Sequence, residues 1–196
     1  MDNYYEDNHR QYFNSTFGID PSVFLAPLAR FLEPKATILD IGCGSGRDML
    51  WFARHGFQPT GFEQSPSLAS LARKHAGCPV IEGDFTSYDF SKLQFSALIF
   101  VGSLVHLSQE ALPAILTSTC RALIPGGLLL ITMKEGNGTS LAADGRVFTL
   151  WSRADIEKVF ATKSKNLRIL DFSRQISKIR SDDVWLGYVL RFGNEE

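Results

Sequence analysis

The stretch Ile38-Leu39-Asp40-Ile41-Gly42-Cys43-Gly44-Ser45-Gly46-Arg47-Asp48 decides the fold of this chain. A short apolar run ends in an acid, three glycines then alternate with small residues, and a helix-like stretch follows. This order is typical of a buried parallel strand, a sharp turn and a helix whose first amides face a ligand. The glycines let the backbone turn and let a ligand lie against bare main chain. We therefore predict an α/β protein with a doubly wound sheet and a nucleotide-type site at the end of its first strand.

The glycine spacing indicates which nucleotide-type ligand the loop binds. A dinucleotide-binding loop has the pattern G-x-G-x-x-G, whereas this loop is one residue shorter and follows an acid. The stretch resembles motif I of the class I S-adenosylmethionine-dependent methyltransferases, whose loop holds the methionine and ribose end of the cofactor. The resemblance implies that S-adenosyl-L-methionine is the cofactor and that these residues contact it: Asp40, Gly42, Cys43, Gly44, Gly46, Arg47 and Asp48.

Two further short strands end in acids. Glu63 ends the first and lies 21 positions after Gly42, an offset that suits a carboxylate accepting ribose hydroxyls in either an NAD or an S-adenosylmethionine site. Gln64 follows it. Asp84 and Phe85 follow the other strand, and the resemblance implies that Asp84 accepts from the adenine amino group while the Phe85 backbone meets the ring. NAD enzymes need no acid there, so this pair favours S-adenosylmethionine.

Two later segments extend the resemblance, which covers residues 36–134. Phe95–Leu107 resembles motif IV, which passes beside the methyl group, and this implies cofactor contacts from Val101, Gly102 and Ser103. The family often has an acid at the start of this strand, where Ser96 and Ala97 stand here. The turn before the apolar run that ends at Thr132 is similar to the family's fifth-strand signature.

Strand and helix signals alternate along the chain, which predicts parallel βαβ units. The resemblance implies a Rossmann-like sheet of seven strands, mostly parallel with a reversed last strand, and the tail would supply that strand in a hairpin turning at 181–183. At 196 residues we expect one domain over 1–196, with 1–33 as an N-terminal helical cap. The predicted strands are 36–41, 58–63, 79–82, 96–101, 127–134, 167–172 and 184–191, and the predicted helices are 20–32, 45–55, 65–76, 108–123 and 152–160.

The N-terminal segment 1–19 is too aromatic for an unstructured tail. It is either a helix packed on the sheet or a lid over the methionine end of the cofactor, with Tyr5 or Tyr12 donating to the cofactor carboxylate. The loop 135–145 carries three glycines and lies at the ligand-binding edge of the sheet. It is interpreted as a substrate gate or an ordinary surface loop.

Methyl transfer requires mainly alignment of donor and acceptor, and a base only when the acceptor is protonated. His106 is the candidate base because its pKa is near working pH and it follows the fourth strand; the alternative is a histidine that packs a helix start. Lys134 and Arg47 either bind an acidic substrate or the cofactor carboxylate, or are solvated charges. Phe148 and Trp151 either line the acceptor pocket or pack in the core.

Composition limits the partners and the compartment. The net charge is −1 and no cluster of Lys and Arg stands out, which argues against a nucleic-acid surface. Three cysteines without a C-x-x-C pair suit a reducing cytoplasm and predict no metal site. Because no signal peptide or long apolar stretch occurs, we expect a cytoplasmic protein without membrane contact, monomeric or homodimeric.

We therefore expect methyl transfer from S-adenosylmethionine to the O, N or S atom of a small-molecule acceptor. Two alternatives stay open. One is an NAD-type Rossmann oxidoreductase, which the shorter glycine spacing and the Asp84-Phe85 pair disfavour. The other is a non-catalytic module that binds S-adenosylmethionine.

Overall fold

The computed structural model describes residues 4–162, 167–176 and 183–193. Within them the helices are α1 Tyr4–Asp7, α2 His9–Thr16, α3 Ser22–Ala29, α4 Arg47–Arg54, α5 Pro66–Ala76, α6 Leu112–Thr119 and α7 Arg153–Thr162. The strands are β1 Thr37–Ile41, β2 Gln58–Glu63, β3 Val80–Glu82, β4 Phe95–Val101, β5 Leu123–Glu135, β6 Thr139–Leu141, β7 Val147–Trp151, β8 Leu167–Ile176 and β9 Val184–Phe192. Short 3-10 turns lie at 90–92, 104–106 and 120–122.

The main sheet has the order β3-β2-β1-β4-β5-β9-β8. Strands β1 to β5 run parallel, whereas β9 is antiparallel to both β5 and β8. This arrangement confirms the doubly wound, mostly parallel α/β sheet with a reversed strand near the C-terminus. The expected turn of the last hairpin at 181–183 falls mainly outside the described residues.

The expected strand count of seven is wrong, because the described residues form nine strands. The two additional strands, β6 and β7, make an antiparallel hairpin. Strand β7 pairs in parallel with the last residues of β5, where Glu135 lies opposite Trp151. The segment 135–145, expected to be a loop, therefore contains β6. Gly138 and Gly145 have φ values of +71° and +83°, so they serve the turns of this hairpin. Residues 139–151 are called the β6–β7 hairpin below.

Each central strand buries both faces, as a parallel sheet between helix layers requires. Along β4 the side chains of Ala97 and Ile99 pack toward α3 and α4, while Leu98 and Phe100 pack toward α6 and α7. Helix α5 packs on α4 beneath the loop 42–46, and so extends the helix layer that contains α3 and α4. The carboxyl ends of β1, β2, β3, β4 and β5 are therefore left at one edge for a site.

Several element boundaries differ from the prediction for local reasons. Helix α4 begins at Arg47 rather than 45, because Gly46 is left-handed with φ +84°. Helix α6 begins at Leu112, with a proline in its first turn, and ends at Thr119 in a 3-10 turn. Strand β5 already begins at Leu123. Among the described residues, no helix combines the length and apolar character needed to cross a bilayer.

Candidate active site

The loop 42–46, called the glycine loop below, follows β1 and is hydrogen-bonded to the end of β2. The Gly42 and Cys43 amides both donate to the Phe62 carbonyl, at 2.8 and 3.1 Å. Gly42 has φ +76°, and a Cβ added there would lie 2.5 Å from the Cβ of Ser103. Gly44 has φ +55°, and a Cβ there would lie 3.1 Å from the Tyr12 ring. Neither position has the conformation or the space for a side chain.

An added Cβ at Gly46 and the Cys43 side chain both point toward α5, on one side of the glycine loop. A Cβ at Gly46 would come within 2.9 Å of Ala72 Cα in α5. Cys43 is buried with Met49 and Ala72. The small size of Gly46 therefore serves helix packing, and its contact with the cofactor stays a prediction.

Glu63 joins the glycine loop to the start of α5. One carboxylate oxygen accepts from the Gly44 amide at 2.8 Å and the other from the Ser65 amide at 2.9 Å. Burial raises the pKa of this carboxyl, and the amide hydrogen bonds act in the opposite direction. The Gln64 backbone amide also bonds to this carboxylate, and because a carboxylate has about four acceptor positions it keeps the capacity to accept a ligand hydroxyl. Gln64 follows it and is exposed.

Asp40 is a buried acid at the end of β1 with one oxygen, Oδ2, that lacks a hydrogen-bond partner among the described residues. Burial raises the pKa of its carboxyl well above the usual value, and the nearby Asp48 charge adds to this. Asp48 itself is held by both the Nε and an Nη of Arg47, at 2.7 and 3.0 Å. The Ser103 hydroxyl is a second buried group without a partner. These orphaned groups beside a bare glycine loop fit a ligand that brings its own polar atoms, as S-adenosylmethionine does.

Asp84 and Phe85 follow β3, next to the end of β2. The Gly83 amide donates to the Glu63 carbonyl at 3.0 Å, which brings the two strand ends together. One oxygen of Asp84 accepts from the amide and hydroxyl of Thr86, at 2.8 and 2.7 Å, and so forms a local turn. Phe85 is half-buried against the main core. Their contacts with adenine stay a prediction.

Residues 4–17, called the lid below, close over this edge of the sheet. Glu6 accepts from the Ser65 hydroxyl at 2.5 Å and from the Ser67 amide at 3.1 Å, so it caps the start of α5. Phe13 and Phe17 pack around His75 of the same helix. The lid therefore packs on α5 beside the glycine loop, and not on the sheet face that one of the two sequence interpretations assumed.

We expect Glu6→Ala to loosen the lid, because it removes the acceptor that fixes α1 to α5. Amide hydrogen exchange followed by mass spectrometry should become faster in residues 4–16, with little change in the sheet. Asp7→Ala is the matched control, because Asp7 is an exposed acid on the same helix. Equal exchange in the two variants would show that the cap on α5 does not hold the lid.

A cavity of about 410 Å³ lies between the lid, the ends of β4, β5 and β9, and the β6–β7 hairpin. The predicted site residues that line it are Tyr5, Tyr12, Arg47, Val101, Gly102, Lys134 and Phe148. Trp151 does not line it and is buried in the main core, so the expectation that it lines an acceptor pocket is wrong. Successive side chains of a strand point to opposite sides, so Trp151, three positions after Phe148 on β7, points away from the cavity that Phe148 lines.

Two cations and several aromatic rings form one wall of the cavity. Lys134 is only 5% exposed; its ammonium lies 2.7 Å from Asp183 and 4.1 Å from the Phe148 ring centre. Arg146 pairs with Asp144 at 2.7 Å, and its guanidinium lies 5.3 Å from the Phe148 ring centre. Phe148 is therefore within cation–π distance of two paired cations. No local sequence pattern indicates Arg146 as a site residue, because the segment of the β6–β7 hairpin that presents it has the composition of a loop.

His106 lies behind the cavity wall and reaches it through Tyr5. Its Nδ1 lies 3.0 Å from the Val147 carbonyl, and its Nε2 lies 2.7 Å from the Tyr5 hydroxyl. Because a carbonyl only accepts, Nδ1 carries the proton and Nε2 accepts from Tyr5. Burial lowers the pKa of the imidazole. The structure therefore pairs Tyr5 with the candidate base, and a contact of Tyr5 with a cofactor carboxylate stays a prediction.

Comparisons with known proteins agree with this architecture. Residues 38–127 match a family model described as a methyltransferase domain. A carboxy-S-adenosyl-L-methionine synthase of Vibrio campbellii is 28% identical over 116 residues, which are 54% of this chain and 46% of that protein. A ubiquinone biosynthesis O-methyltransferase of Xanthomonas campestris is 30% identical over 111 residues, 53% of this chain and 45% of that protein. The chain thus spans about half the length of the curated relatives it matches.

Among solved structures, the 1,6-didemethyltoxoflavin-N1-methyltransferase of Burkholderia thailandensis has the same fold. Its TM-score is 0.74 at 19% identity, over 97% of this chain and 84% of that one. Residues 38–127 thus match a methyltransferase domain, and the sheet order and the glycine loop agree with the class I S-adenosylmethionine-dependent fold that the sequence resembles.

Proposed function

We propose that this chain transfers the methyl group of S-adenosylmethionine to an O, N or S atom of a small-molecule acceptor. The observation that carries the proposal is a pair of adjoining sites at one sheet edge. The glycine loop, Glu63 and the orphaned Asp40 oxygen form the first. The cavity of about 410 Å³ beneath the lid forms the second, and Val101, Gly102 and Arg47 are among the residues that line it. A cofactor site next to an acceptor cavity is the arrangement that methyl transfer needs.

Bound S-adenosylmethionine supplies an activated methyl group on a positively charged sulfur, so the protein contributes alignment and exclusion of water. In this mechanism Glu63 accepts the ribose hydroxyls while it keeps the Gly44 amide in place. Asp40 accepts from the polar methionine end. The lid covers the acceptor and keeps water from the reacting atoms. The Tyr5–His106 pair stands at the cavity wall, where an acceptor proton would leave.

Small acceptors are supported by the relatives and by charge. The Xanthomonas relative is named for an O-methylation in ubiquinone biosynthesis, and the Burkholderia protein for an N-methylation of 1,6-didemethyltoxoflavin. The net charge of −1 also favours a small molecule over a nucleic acid. The relative from Vibrio is named as a synthase that makes carboxy-S-adenosylmethionine. A test of the function must therefore detect a methylated acceptor, and not merely consumption of the cofactor.

The experiment combines calorimetry with an acceptor screen. Calorimetry with S-adenosylmethionine, S-adenosylhomocysteine and NADH separates the proposal from the NAD alternative. Incubation with methyl-labelled S-adenosylmethionine and a panel of phenols, amines and thiols, read by mass spectrometry, then separates an enzyme from a non-catalytic module. The proposal expects binding of the first two ligands and at least one labelled methyl product. Binding without any product would favour the non-catalytic module.

We expect Glu63→Ala to weaken binding of S-adenosylmethionine at least tenfold. It removes charge-assisted hydrogen bonds worth about 1.5–3 kcal/mol each and frees two amides that the carboxylate holds. Calorimetry measures the dissociation constant, and thermal unfolding checks that the fold persists. Glu82→Ala is the matched control, because Glu82 ends the neighbouring strand but pairs with Arg73 at the surface. An unchanged dissociation constant for Glu63→Ala would exclude the ribose role.

A further inference from the structure

We propose that Tyr5 and His106 form a proton relay and that the acceptor is a planar aromatic compound with a weakly acidic hydroxyl, such as a phenol. The inference rests on the proposed function and specifies the acceptor class of the same site. It identifies Tyr5, which the sequence suggested as a cofactor ligand, as the group that touches the acceptor.

The relay follows from which side chain reaches the cavity. Tyr5 lines the cavity, whereas His106 lies behind it and contacts the Tyr5 hydroxyl at 2.7 Å. The far nitrogen of His106 donates to the Val147 carbonyl at 3.0 Å. That bond orients the ring and leaves Nε2 as the acceptor, so a proton can pass only from Tyr5 to His106. An acceptor in the cavity meets the base through the tyrosine oxygen.

The charges around Tyr5 favour negative charge on an oxygen at this wall. One guanidinium nitrogen of Arg146 donates to the Tyr5 hydroxyl at 3.4 Å, while the other Arg146 nitrogens hold Asp144. The Lys134 ammonium also lies near the Phe148 ring, 4.1 Å from its centre. Burial raises the pKa of Tyr5, and the hydrogen bond and charge of Arg146 oppose this. In the relay the Tyr5 oxygen therefore takes the proton of the acceptor while it gives its own proton to His106, and no free tyrosinate forms.

The proton and the methyl group move in a balanced step. The acceptor oxygen forms a bond to the methyl carbon, and the pair of the broken carbon–sulfur bond stays on sulfur. The acceptor proton passes to the Tyr5 oxygen, and the Tyr5 proton passes to Nε2 of His106. One positive charge is lost at sulfur and one appears on the imidazole. The imidazolium returns its proton to water once the lid opens.

The strength of the base limits the acceptor. A buried imidazole whose pKa lies below its ordinary value of about 6.5 is a weak base, so an acidic hydroxyl suits it better than an aliphatic alcohol, which is about as acidic as water. A phenol, with a pKa near 10, is within reach when cations stabilise its oxygen. The cavity wall is aromatic as well, with Phe148, Tyr4 and Trp185 among its residues. Flat rings stack on such surfaces and bring the hydroxyl to Tyr5.

The probe is 4-nitrophenol, whose ionised form absorbs visible light, titrated into protein saturated with S-adenosylhomocysteine. At a pH one unit below the probe's own pKa, about a tenth of the free probe is ionised. We expect the wild-type complex to hold a larger fraction of the bound probe as nitrophenolate than this tenth. Tyr5→Phe and His106→Ala should each return the ionised fraction to that of the free probe. His55→Ala should keep the wild-type signal, because His55 is an exposed histidine with the same Nδ1-to-carbonyl contact, to Trp51.

The outcomes are separable from those of the proposed function. Binding of S-adenosylhomocysteine is measured first, and its absence in the wild-type protein would overturn the proposed function and the relay with it. Normal binding of S-adenosylhomocysteine with neutral or absent nitrophenol would overturn the relay alone. An undiminished nitrophenolate signal in Tyr5→Phe would also overturn it, and this variant keeps the ring and its packing should His106→Ala unfold.

Discussion

Gly44→Val is expected to abolish measurable binding of S-adenosylmethionine by a protein that still folds. Gly44 has φ +55°, which a β-branched residue does not adopt without strain, and an added Cβ would lie 3.1 Å from the Tyr12 ring. The side chain would also enter the space above the glycine loop, where the cofactor's methionine end is expected. Calorimetry with S-adenosylmethionine measures the effect directly.

The control must have a similar backbone penalty away from the site. Gly56→Val provides it, because Gly56 has φ +84° and no atom within 4 Å of an added Cβ. Both variants should lose stability, by about 1–2 kcal/mol from the left-handed conformation, but only Gly44→Val should lose the ligand. Normal affinity in a folded Gly44→Val protein would contradict the assignment of the glycine loop.

His106→Ala is expected to lower turnover of the acceptor identified by the screen about 10²–10⁴-fold, the usual contribution of a general base. Binding of S-adenosylmethionine should barely change, because His106 contacts Tyr5 and Val147 rather than the glycine loop. Steady-state kinetics together with calorimetry measure the two quantities. A loss of cofactor affinity or thermal stability in proportion to turnover would instead make His106 a structural residue.

The pH dependence of the wild-type rate provides an independent check on this role. Burial lowers the pKa of His106 below about 6.5, so the neutral base persists at mildly acidic pH and the rate falls only as pH drops through the lowered pKa. The groups that face it are the Tyr5 hydroxyl, the Arg146 and Lys134 cations, which lower the pKa further, and Asp144, which opposes them. The acid limb of the rate profile should vanish in His106→Ala.

The same shift has a consequence for stability. Between about pH 6.5 and the lower folded pKa, the unfolded chain binds a proton that the folded chain does not. The contribution of His106 to the free energy of unfolding is therefore full above pH 6.5 and is lost as pH falls toward the folded pKa. A wild-type protein that gained stability over this acidic range, relative to His106→Ala, would contradict the direction of the shift.

The first half of the sheet could be predicted from the sequence because its signals are local. Strand β2 has the predicted bounds, and Glu63 ends it beside the glycine loop. An apolar run followed by an acid and glycines determines both the element and the edge to which its last side chain points. The mostly parallel order with a reversed strand is confirmed by the structure on the same basis.

The acceptor side could not be predicted to the same degree, because its residues meet only through long-range pairing. Arg146 and Phe148 reach the cavity on a hairpin whose short strands have weak patterns among turn residues. Trp151 is one position too far along that hairpin and turns into the core. Tyr5 and His106 are 101 positions apart, and no local pattern indicates their contact.

The most direct test of the central claim is calorimetric titration of the wild-type chain with S-adenosylmethionine, S-adenosylhomocysteine and NADH. The glycine loop and Glu63 predict one binding site for each of the first two ligands, with dissociation constants in the micromolar range. The shorter glycine spacing and the Asp84-Phe85 pair predict no heat with NADH. Heat with NADH and none with S-adenosylmethionine or S-adenosylhomocysteine would contradict the account.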